Sequence, residues 1–254
     1  MMYYKGVFKD EGGFYTCPSS REKTYFPLGE TVSVEGDIEI CKWGIHACER
    51  WENTFWFDQW SHWLLIAGEP VESDEKKTVF RTVKVIEEYV PKQEDWDRLD
   101  GYSWSWFLCL QPKFSDKCDW GKLDGTGWYR LLSEQPQFAD YCDWDKLNGE
   151  EWALLLKFQP QFSDKCNWGK LDGDDWSWFL RHQPHFSDHC DWEKLDGLDW
   201  AHLLSQEPQF AKHCNWKKLN YYDWSHLLKE QPQFKKYRPD MFIGKIQTDQ
   251  DNGV

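Results

Sequence analysis

One short stretch of the sequence brings together residue types that can bind a metal ion. It reads Cys41-Lys-Trp-Gly-Ile-His46-Ala-Cys48, and Cys17 precedes it. Thiolates and imidazoles are zinc ligands, so Cys17, Cys41, His46 and Cys48 are candidate metal ligands. Structural zinc sites usually place two to four residues between paired cysteines, whereas Cys41 and Cys48 are separated by six and Cys17 is remote. We therefore expect buried thiols beside a hydrogen-bonded histidine, with no metal and no other cofactor.

The composition limits the classes of function that need to be considered. The chain has 254 residues, with 44 acidic and 30 basic side chains and a formal net charge of −14. A protein that binds the phosphate backbone of nucleic acids needs a basic surface, so direct nucleic-acid binding is disfavoured, although mimicry of a nucleic acid is not. No apolar run is long enough to span a membrane, and the first residues do not form a secretory signal. We therefore expect a cytoplasmic protein, in its native cell or in a host cell.

A tandem repeat of 24 residues fills the second part of the chain. Two ladders of tryptophan and one each of proline and phenylalanine recur at this period in six units, without insertion or deletion. They comprise Trp96, Trp120, Trp144, Trp168, Trp192 and Trp216; Trp104, Trp128, Trp152, Trp176, Trp200 and Trp224; Pro112, Pro136, Pro160, Pro184, Pro208 and Pro232; and the phenylalanine two residues after each proline. Short repeats of this kind stack so that neighbours share a core, which predicts an α-solenoid over 91–236 and leaves 237–254 as a polar tail.

Each unit reads as a helical hairpin. Asp124 suits the N-cap of a helix, and later units carry an acid three residues after the cap, as in a capping box. Trp128, Leu131 and Leu132 then form one apolar helical face. Pro136 ends this helix and suits the first turn of a second, short helix, whose buried face we assign to the following phenylalanine and cysteine.

Residues that vary between units mark the candidate binding surface. Helical spacing places several large side chains off the apolar face of the repeat, where exposed aromatic groups on a solenoid indicate binding. The alternative is that they contact the adjacent unit or the N-terminal domain. The candidate binding residues are Trp106, Tyr129, Phe158, Trp178, His182 and His202.

Residues 1–90 lack the repeat and predict a small α+β domain. Strands are expected over 3–8, 30–34, 37–40 and 78–86, where apolar and polar residues alternate or β-branched residues cluster. The aromatic spacing of residues 51–66 predicts an amphipathic helix. The fold class expected for the whole chain is thus an α+β head followed by an all-α solenoid of helical-hairpin repeats.

Two further features of the sequence resemble known groups of proteins. The C-x-x-G-x-H-x-C motif from Cys41 to Cys48, with Tyr4-Lys5-Gly6 and Gly29-Glu30-Thr31 before it, resembles an uncharacterised domain family of bacterial and phage proteins. The repeats resemble tryptophan-rich arrays in hypothetical proteins of gut bacteria and their phages. These likenesses imply a fold and a bacterial or phage setting.

The strand order of the head is also similar to that of an ADP-ribosyltransferase core. In that likeness Lys5 stands in the first-strand motif, His46 takes the place of the Ser-Thr-Ser strand, and Glu87 or Glu88 supplies the late glutamate. The likeness implies chemistry on NAD, with Lys5, His46, Glu87 and Glu88 as candidate catalytic residues.

Three functions follow as hypotheses. The first is a non-enzymatic repeat protein that binds a protein partner, a basic one to suit the negative charge, including a phage inhibitor of a host defence protein. The second is an ADP-ribosyltransferase-like enzyme whose solenoid selects the target. The third is a small-ligand sensor or sponge for nucleotides, with an aromatic cage from Trp43, Trp51, Trp56 or Trp60.

Overall fold

The architecture was taken from a computed structural model that describes residues 1–16, 23–56 and 61–239. A strand-rich N-terminal region is followed by helical units that each contain the recurring tryptophans and proline. The contacts within the chain divide it into two compact units, and the boundary between them lies after Gly127. This boundary lies inside the repeat pattern, whereas the limits 1–90 and 91–236 rest on sequence periodicity. Most of the expected tail, 240–254, lies outside the described residues.

The N-terminal region is an antiparallel sheet in the strand order β3-β2-β1-β6-β7-β4, with β5 also paired to β7. The long strands β6 and β7 lie at its centre, and β6 pairs with both β1 and β7. The strands are β1 (Tyr3–Asp10), β2 (Gly13–Thr16), β3 (Thr24–Tyr25), β4 (Thr31–Ser33), β5 (Ile45–Ala47), β6 (His62–Ser73) and β7 (Thr78–Tyr89).

One face of this sheet carries the hydrophobic core of the region. Alternate residues of β1 and β6 point to it, which places Val7, Leu64 and Ile66 in the core with no exposed surface. Phe80 and Val83 extend the core onto β7. The buried residues of β6 and β7 do not alternate strictly, since Trp63 and Val79 are buried as well.

The helix predicted over 51–66 is wrong. Trp51–Trp56 forms a 3₁₀ helix, and His62–Ser73 is the strand β6. Trp51 is fully buried and contacts Trp63 and Trp96 edge to face. Large aromatic side chains at mixed spacing satisfy a helical pattern, but the pairing of β6 with two neighbouring strands outweighs that local preference.

The short strand predicted over 37–40 is also wrong. Only Glu39 forms an isolated bridge, and its partner is Trp43, four residues later. The main-chain N–H groups of Lys42 and Trp43 both donate to the carbonyl of Glu39. Cys41 has a φ of 65°, in the left-handed region. The segment is therefore a tight turn that carries the first cysteine of the motif.

The helical units follow the predicted plan. Each of the last six α-helices has ten residues and is followed by a 3₁₀ helix that begins at the repeated proline. Another 3₁₀ turn begins at the next repeated tryptophan, from Trp120 onward. The α-helices are α1 (Gln93–Asp97), α2 (Gly101–Leu110), α3 (Gly125–Glu134), α4 (Gly149–Phe158), α5 (Gly173–His182), α6 (Gly197–Gln206) and α7 (Tyr221–Glu230).

The helix ends confirm the capping argument. In α4 the side chain of Asn148 accepts from the N–H of Glu151, whose carboxylate in turn accepts from the N–H of Asn148. The same reciprocal box opens α5, α6 and α7. At the other end, the residue before each proline leaves the helical conformation, as at Gln159 with φ −130° and ψ 67°.

Hydrogen bonds between successive units come from framework residues. The ammonium group of Lys170 donates to the carbonyls of Asp145 and Leu147, 25 and 23 residues earlier, and Lys194 and Lys218 repeat this arrangement. The side-chain amide of Gln183 donates to the carbonyl of Lys157 in the preceding unit. Such residues recur because they hold the array together.

The repeated cysteines differ from the prediction, because they are half-buried instead of lying fully in the core. Cys118, Cys142, Cys190 and Cys214 each follow the 3₁₀ helix in an extended conformation, as Cys142 does with ψ 127°. Burial nevertheless raises the pKa of the Cys142 thiol to about 12. The thiols are therefore protonated at neutral pH and poor nucleophiles.

Candidate functional site

The cysteine–histidine motif forms a closed structural cluster in the head. Nε2 of His46 accepts the main-chain N–H of Cys41 at 3.0 Å, which stabilises the left-handed turn. Burial, followed by the charges of Lys5 and Lys77, lowers the pKa of His46 to about 4, so the imidazole is neutral. Burial raises the pKa of the Cys48 thiol to about 12. A protonated thiol and a histidine engaged with the main chain do not make a nucleophile pair.

Lys5 lies buried beside this cluster. Its ammonium group donates to the carbonyl of His46 at 3.0 Å and lies 5.0 Å from the ring centre of Phe26. Burial lowers the pKa of Lys5 to about 8. Only 5% of the residue is exposed, so the amine faces the core of the sheet and has little access to solvent.

The two candidate glutamates on β7 lie elsewhere. Glu88 is 3.9 Å from Nζ of Lys9 and 4.0 Å from Nε2 of His62, and Glu87 is exposed. In the described part of the chain, neither carboxylate contacts Lys5 or His46. The structure thus brings Lys5 and His46 together but does not add the carboxylate that the transferase hypothesis requires.

The zinc candidates do not converge in the described residues. Cys41 is exposed, Cys48 is buried, and Nε2 of His46 already accepts a main-chain hydrogen bond. No group of three or more potential ligands is found across residues 1–16, 23–56 and 61–239. Cys17 lies outside the described residues, so its role as a zinc ligand stays a prediction.

Trp51 does not contribute to the aromatic cage proposed for a small ligand. Trp51 has no exposed surface and packs among Trp63, Trp96 and Phe107 as part of the core. Trp43 donates from its indole N–H to the carbonyl of Glu35. Trp60 and the side chain of Trp56 lie outside what the structure describes.

In the second compact unit, the sequence variation of the repeats concentrates on one face of the helices. On each of the helices α4 to α7, three positions spaced four residues apart lie on this face. Equivalent positions of the four helices form three rows, and we call the surface that they make the variable face. Its rows are Glu150, Asp174, Leu198 and Tyr222; Leu154, Trp178, His202 and His226; and Phe158, His182, Gln206 and Glu230. Large apolar groups are exposed on it, with 58% of Phe158, 52% of Leu198 and 79% of Tyr222 accessible.

Four of the predicted binding residues belong to this face. Phe158, Trp178, His182 and His202 lie on it in α4, α5 and α6. The ring of Trp178 lies 4.3 Å from that of His182, and Nζ of Lys157 lies 5.1 Å from the Trp178 ring centre. The indole therefore already presents a face to a cation.

The other two predicted residues lie in different settings. Trp106 lies on α2 of the first compact unit, at the repeat position that Trp178 occupies on α5. It is exposed, and Tyr102 contacts it edge to face. Tyr129 is half-buried, at a position filled by the buried Ala153, Ser177 and Ala201 in later units. Small residues at that position allow close packing of helices, so Tyr129 stands apart from the variable face.

A cleft of about 630 Å³ opens beside Trp178, between α4 and α5. Its charged lining consists of Glu150, Asp172, Asp174, Asp175 and Lys170. Lys170 is directed to the carbonyls of Asp145 and Leu147. Burial raises the pKa of Asp175, and the nearby carboxylates of Asp172 and Asp174 raise it further. Crowded carboxylates of this kind favour a bound cation electrostatically.

Sequence reasoning missed the acids of this cleft. Glu150 and Asp174 precede Leu154 and Trp178 by four residues, so a helical projection from the predicted Trp178 would have found them. Leu198 and Tyr222 could have been found in the same way. The depth of the cleft depends on how successive helices pack, which the spacing within one unit does not reveal.

Comparison with protein-family models, curated proteins and solved structures gave no match. Among the described residues, none of the helices is long and apolar enough to cross a lipid bilayer.

Proposed function

We propose that this protein is a non-enzymatic binding protein whose repeats form an α-solenoid that captures a basic protein segment on the variable face. The observation that carries the proposal is the cleft between α4 and α5, which four carboxylates line together with Trp178. Carboxylates beside a half-buried indole suit a lysine or, better, an arginine, since guanidinium both pairs with carboxylates and stacks on aromatic rings.

The rest of the face is suited to a protein partner. Phe158 on α4, Leu198 on α6 and Tyr222 on α7 offer exposed apolar area. Aromatic anchors surrounded by polar groups are typical of the centre of protein interfaces. A basic partner also suits the formal net charge of −14, which favours encounter with positive surfaces.

The finer form of the proposal names the kind of partner. Exposed acidic side chains lie near the N-terminal ends of successive helices, as at Glu150, Asp172, Asp174 and Asp196. A basic channel that normally holds nucleic acid would attract such a surface, so a host defence nuclease blocked by a cytoplasmic phage protein is one partner of the proposed chemistry.

The proposal is tested by affinity capture with the intact chain, read by mass spectrometry and repeated at raised salt. The test variants are Glu150→Gln combined with Asp174→Asn, and Trp178→Ala alone. Asp164→Asn combined with Asp188→Asn removes the same charge from exposed positions outside the variable face, four residues after the repeated prolines, and serves as the control. All variants are first compared with the native chain by thermal unfolding.

We expect a stoichiometric basic partner that the control variant retains and both test variants lose at least tenfold, with weaker capture as salt rises. Equal capture by all variants would overturn the assignment to the variable face. Failure of the native chain to retain any partner would overturn the binding function itself.

A further inference from the structure

Two histidines on successive units of the variable face lie next to each other. His202 of α6 and His226 of α7 occupy the same row, 24 residues apart. Their ring centres are 5.4 Å apart and their planes are nearly perpendicular, at 89°. His202 is half-buried and His226 is exposed.

Charged groups on both neighbouring helices lie around His202. His226 and Asp223 lie near it on α7, and Arg181 and Asp174 lie near it on α5. A metal ion binds an imidazole through the lone pair of the uncharged ring.

We propose that His202 and His226 together bind one divalent transition-metal ion of the zinc or nickel type, which links α6 to α7. Imidazole is a ligand that these borderline ions prefer. An ion about 2.0–2.1 Å from each nitrogen, at a tetrahedral angle, places the two ring centres about 5 Å apart. The observed separation of 5.4 Å is close to this distance.

The present orientation of the rings requires one adjustment. Because the imidazoles lie edge to face, one of them must turn about its Cβ–Cγ bond before both nitrogens point to a shared ion. His226 has room to turn, since it is exposed. The torsion of an aromatic ring about this bond is broad, so the turn costs little.

The pair supplies two protein ligands, fewer than a structural zinc site uses. Water, or a donor from another molecule, completes the coordination, so the bound ion is exchangeable. The corresponding positions in α4 and α5 hold Leu154 and Trp178, which have no donor suited to these ions. In the second compact unit the row therefore provides a single site of this type, and the stoichiometry is one ion per chain.

The experiment is a calorimetric titration of the full-length protein with Ni²⁺ and with Zn²⁺ at neutral pH, paired with thermal unfolding in the same solutions. His202→Gln and His226→Gln each remove one ligand. His185→Gln and His189→Gln, at exposed positions in the 3₁₀ helix Pro184–His189 and off the variable face, are matched controls. Circular dichroism confirms that each variant has the helical content of the native chain.

We expect one equivalent of either ion to bind the native chain and both controls, and to raise the unfolding temperature, because a ligand that binds only the folded state stabilises it. Each test variant should bind at least tenfold more weakly. Binding that persists unchanged in both test variants would place the ion elsewhere in the chain and overturn the proposal. Absence of saturable binding to the native chain would also overturn it. Neither result depends on a protein partner.

Discussion

The ammonium group of Lys194 donates to the carbonyl oxygen of Gly169 at 2.8 Å, 25 residues earlier in the chain. The same ammonium donates to the carbonyl of Leu171. A charged donor thus satisfies two carbonyls of the preceding unit at once. Lysine recurs at this position because it joins successive units, which explains why so polar a residue belongs to the framework of a repeat with an aromatic core.

Lys194→Met is expected to lower the free energy of unfolding by about 2 kcal/mol, since hydrogen bonds to charged groups contribute about 1.5–3 kcal/mol and this one is partly solvated. The measurement is urea unfolding followed by circular dichroism. Lys212→Met, at an exposed position in a 3₁₀ helix, is the control and should change the free energy by less than about 0.5 kcal/mol. Equal effects of the two substitutions would contradict a joining role for Lys194.

The glycine that begins the internal helices predicts that its substitution by alanine destabilises the protein, whereas this substitution usually stabilises a helix. A Cβ on Gly173 would lie 2.5 Å from the carbonyl oxygen of Lys194 and 2.3 Å from a carboxylate oxygen of Asp199, both in the next unit. Gly→Ala at a helical position normally stabilises. Here we expect Gly173→Ala to destabilise by about 2–4 kcal/mol, because main-chain atoms of the neighbour would have to move.

Gly169→Ala is the matched control for that substitution. The position is occupied by Asp145, Glu193 and Lys217 in other units, so a side chain is tolerated there. A shift in the midpoint of thermal unfolding for Gly173→Ala but not for Gly169→Ala is the expected result. The last of the described repeat helices begins with Tyr221 instead of glycine and so departs from this pattern.

The repeats were predictable because their determinants are local. The caps, the prolines and the i, i+3, i+4 spacing act within one 24-residue unit, so the helix ends at Asn148 and Gln159 follow from the sequence. The segment from Trp51 was mispredicted because the identity of β6 depends on pairing with β1 and β7, which are distant in sequence.

The candidate site was predictable in part. Trp178 and Phe158 were found as variable aromatic residues, but the cleft beside Trp178 requires α4 and α5 to be packed against each other before its acids can be recognised. The proximity of His202 and His226 likewise depends on the positions of the two side chains relative to each other. Sequence spacing predicts that both histidines occupy the same row of the variable face, whereas packing determines the distance between their rings.

One departure from the repeat pattern predicts a stabilising substitution. Gln159, Gln183 and Gln231 each donate a side-chain amide to a carbonyl of the preceding unit. Glu207 occupies this position after α6, and an ionised carboxylate has no proton to donate. We expect Glu207→Gln to raise the free energy of unfolding by about 1 kcal/mol through a new hydrogen bond to the main chain of Arg181.

The reverse substitution, Gln183→Glu, is the companion to Glu207→Gln and should destabilise by about 1–3 kcal/mol, since it places a carboxylate against the carbonyl of Lys157. Chemical unfolding of both variants at the same pH measures the pair. If Glu207→Gln were neutral while Gln183→Glu destabilised, the junction between α5 and α6 would have a different geometry from its neighbours.

The capping acids of the repeats predict a pH dependence of stability. Asp199 closes the capping box of α6 and is 7% exposed. Burial, outweighing the hydrogen bond from the N–H of Asp196, raises the pKa of Asp199 to about 6. A carboxyl group whose pKa is higher in the folded state binds its proton more tightly there. Its contribution to stability is therefore complete below pH 3.8 and is lost as the pH rises through about 6.

Asp199→Asn removes this titration and keeps an oxygen that can accept from the N–H of Asp196. Relative to the native chain, the variant should gain stability steadily between pH 4 and pH 7, by up to about 3 kcal/mol for a shift of about 2 units. Unfolding by urea at several pH values gives this difference, and comparing the two proteins cancels the other carboxyl groups. A difference that stays constant over this range would show that Asp199 titrates normally and that the capping box carries its charge at little cost.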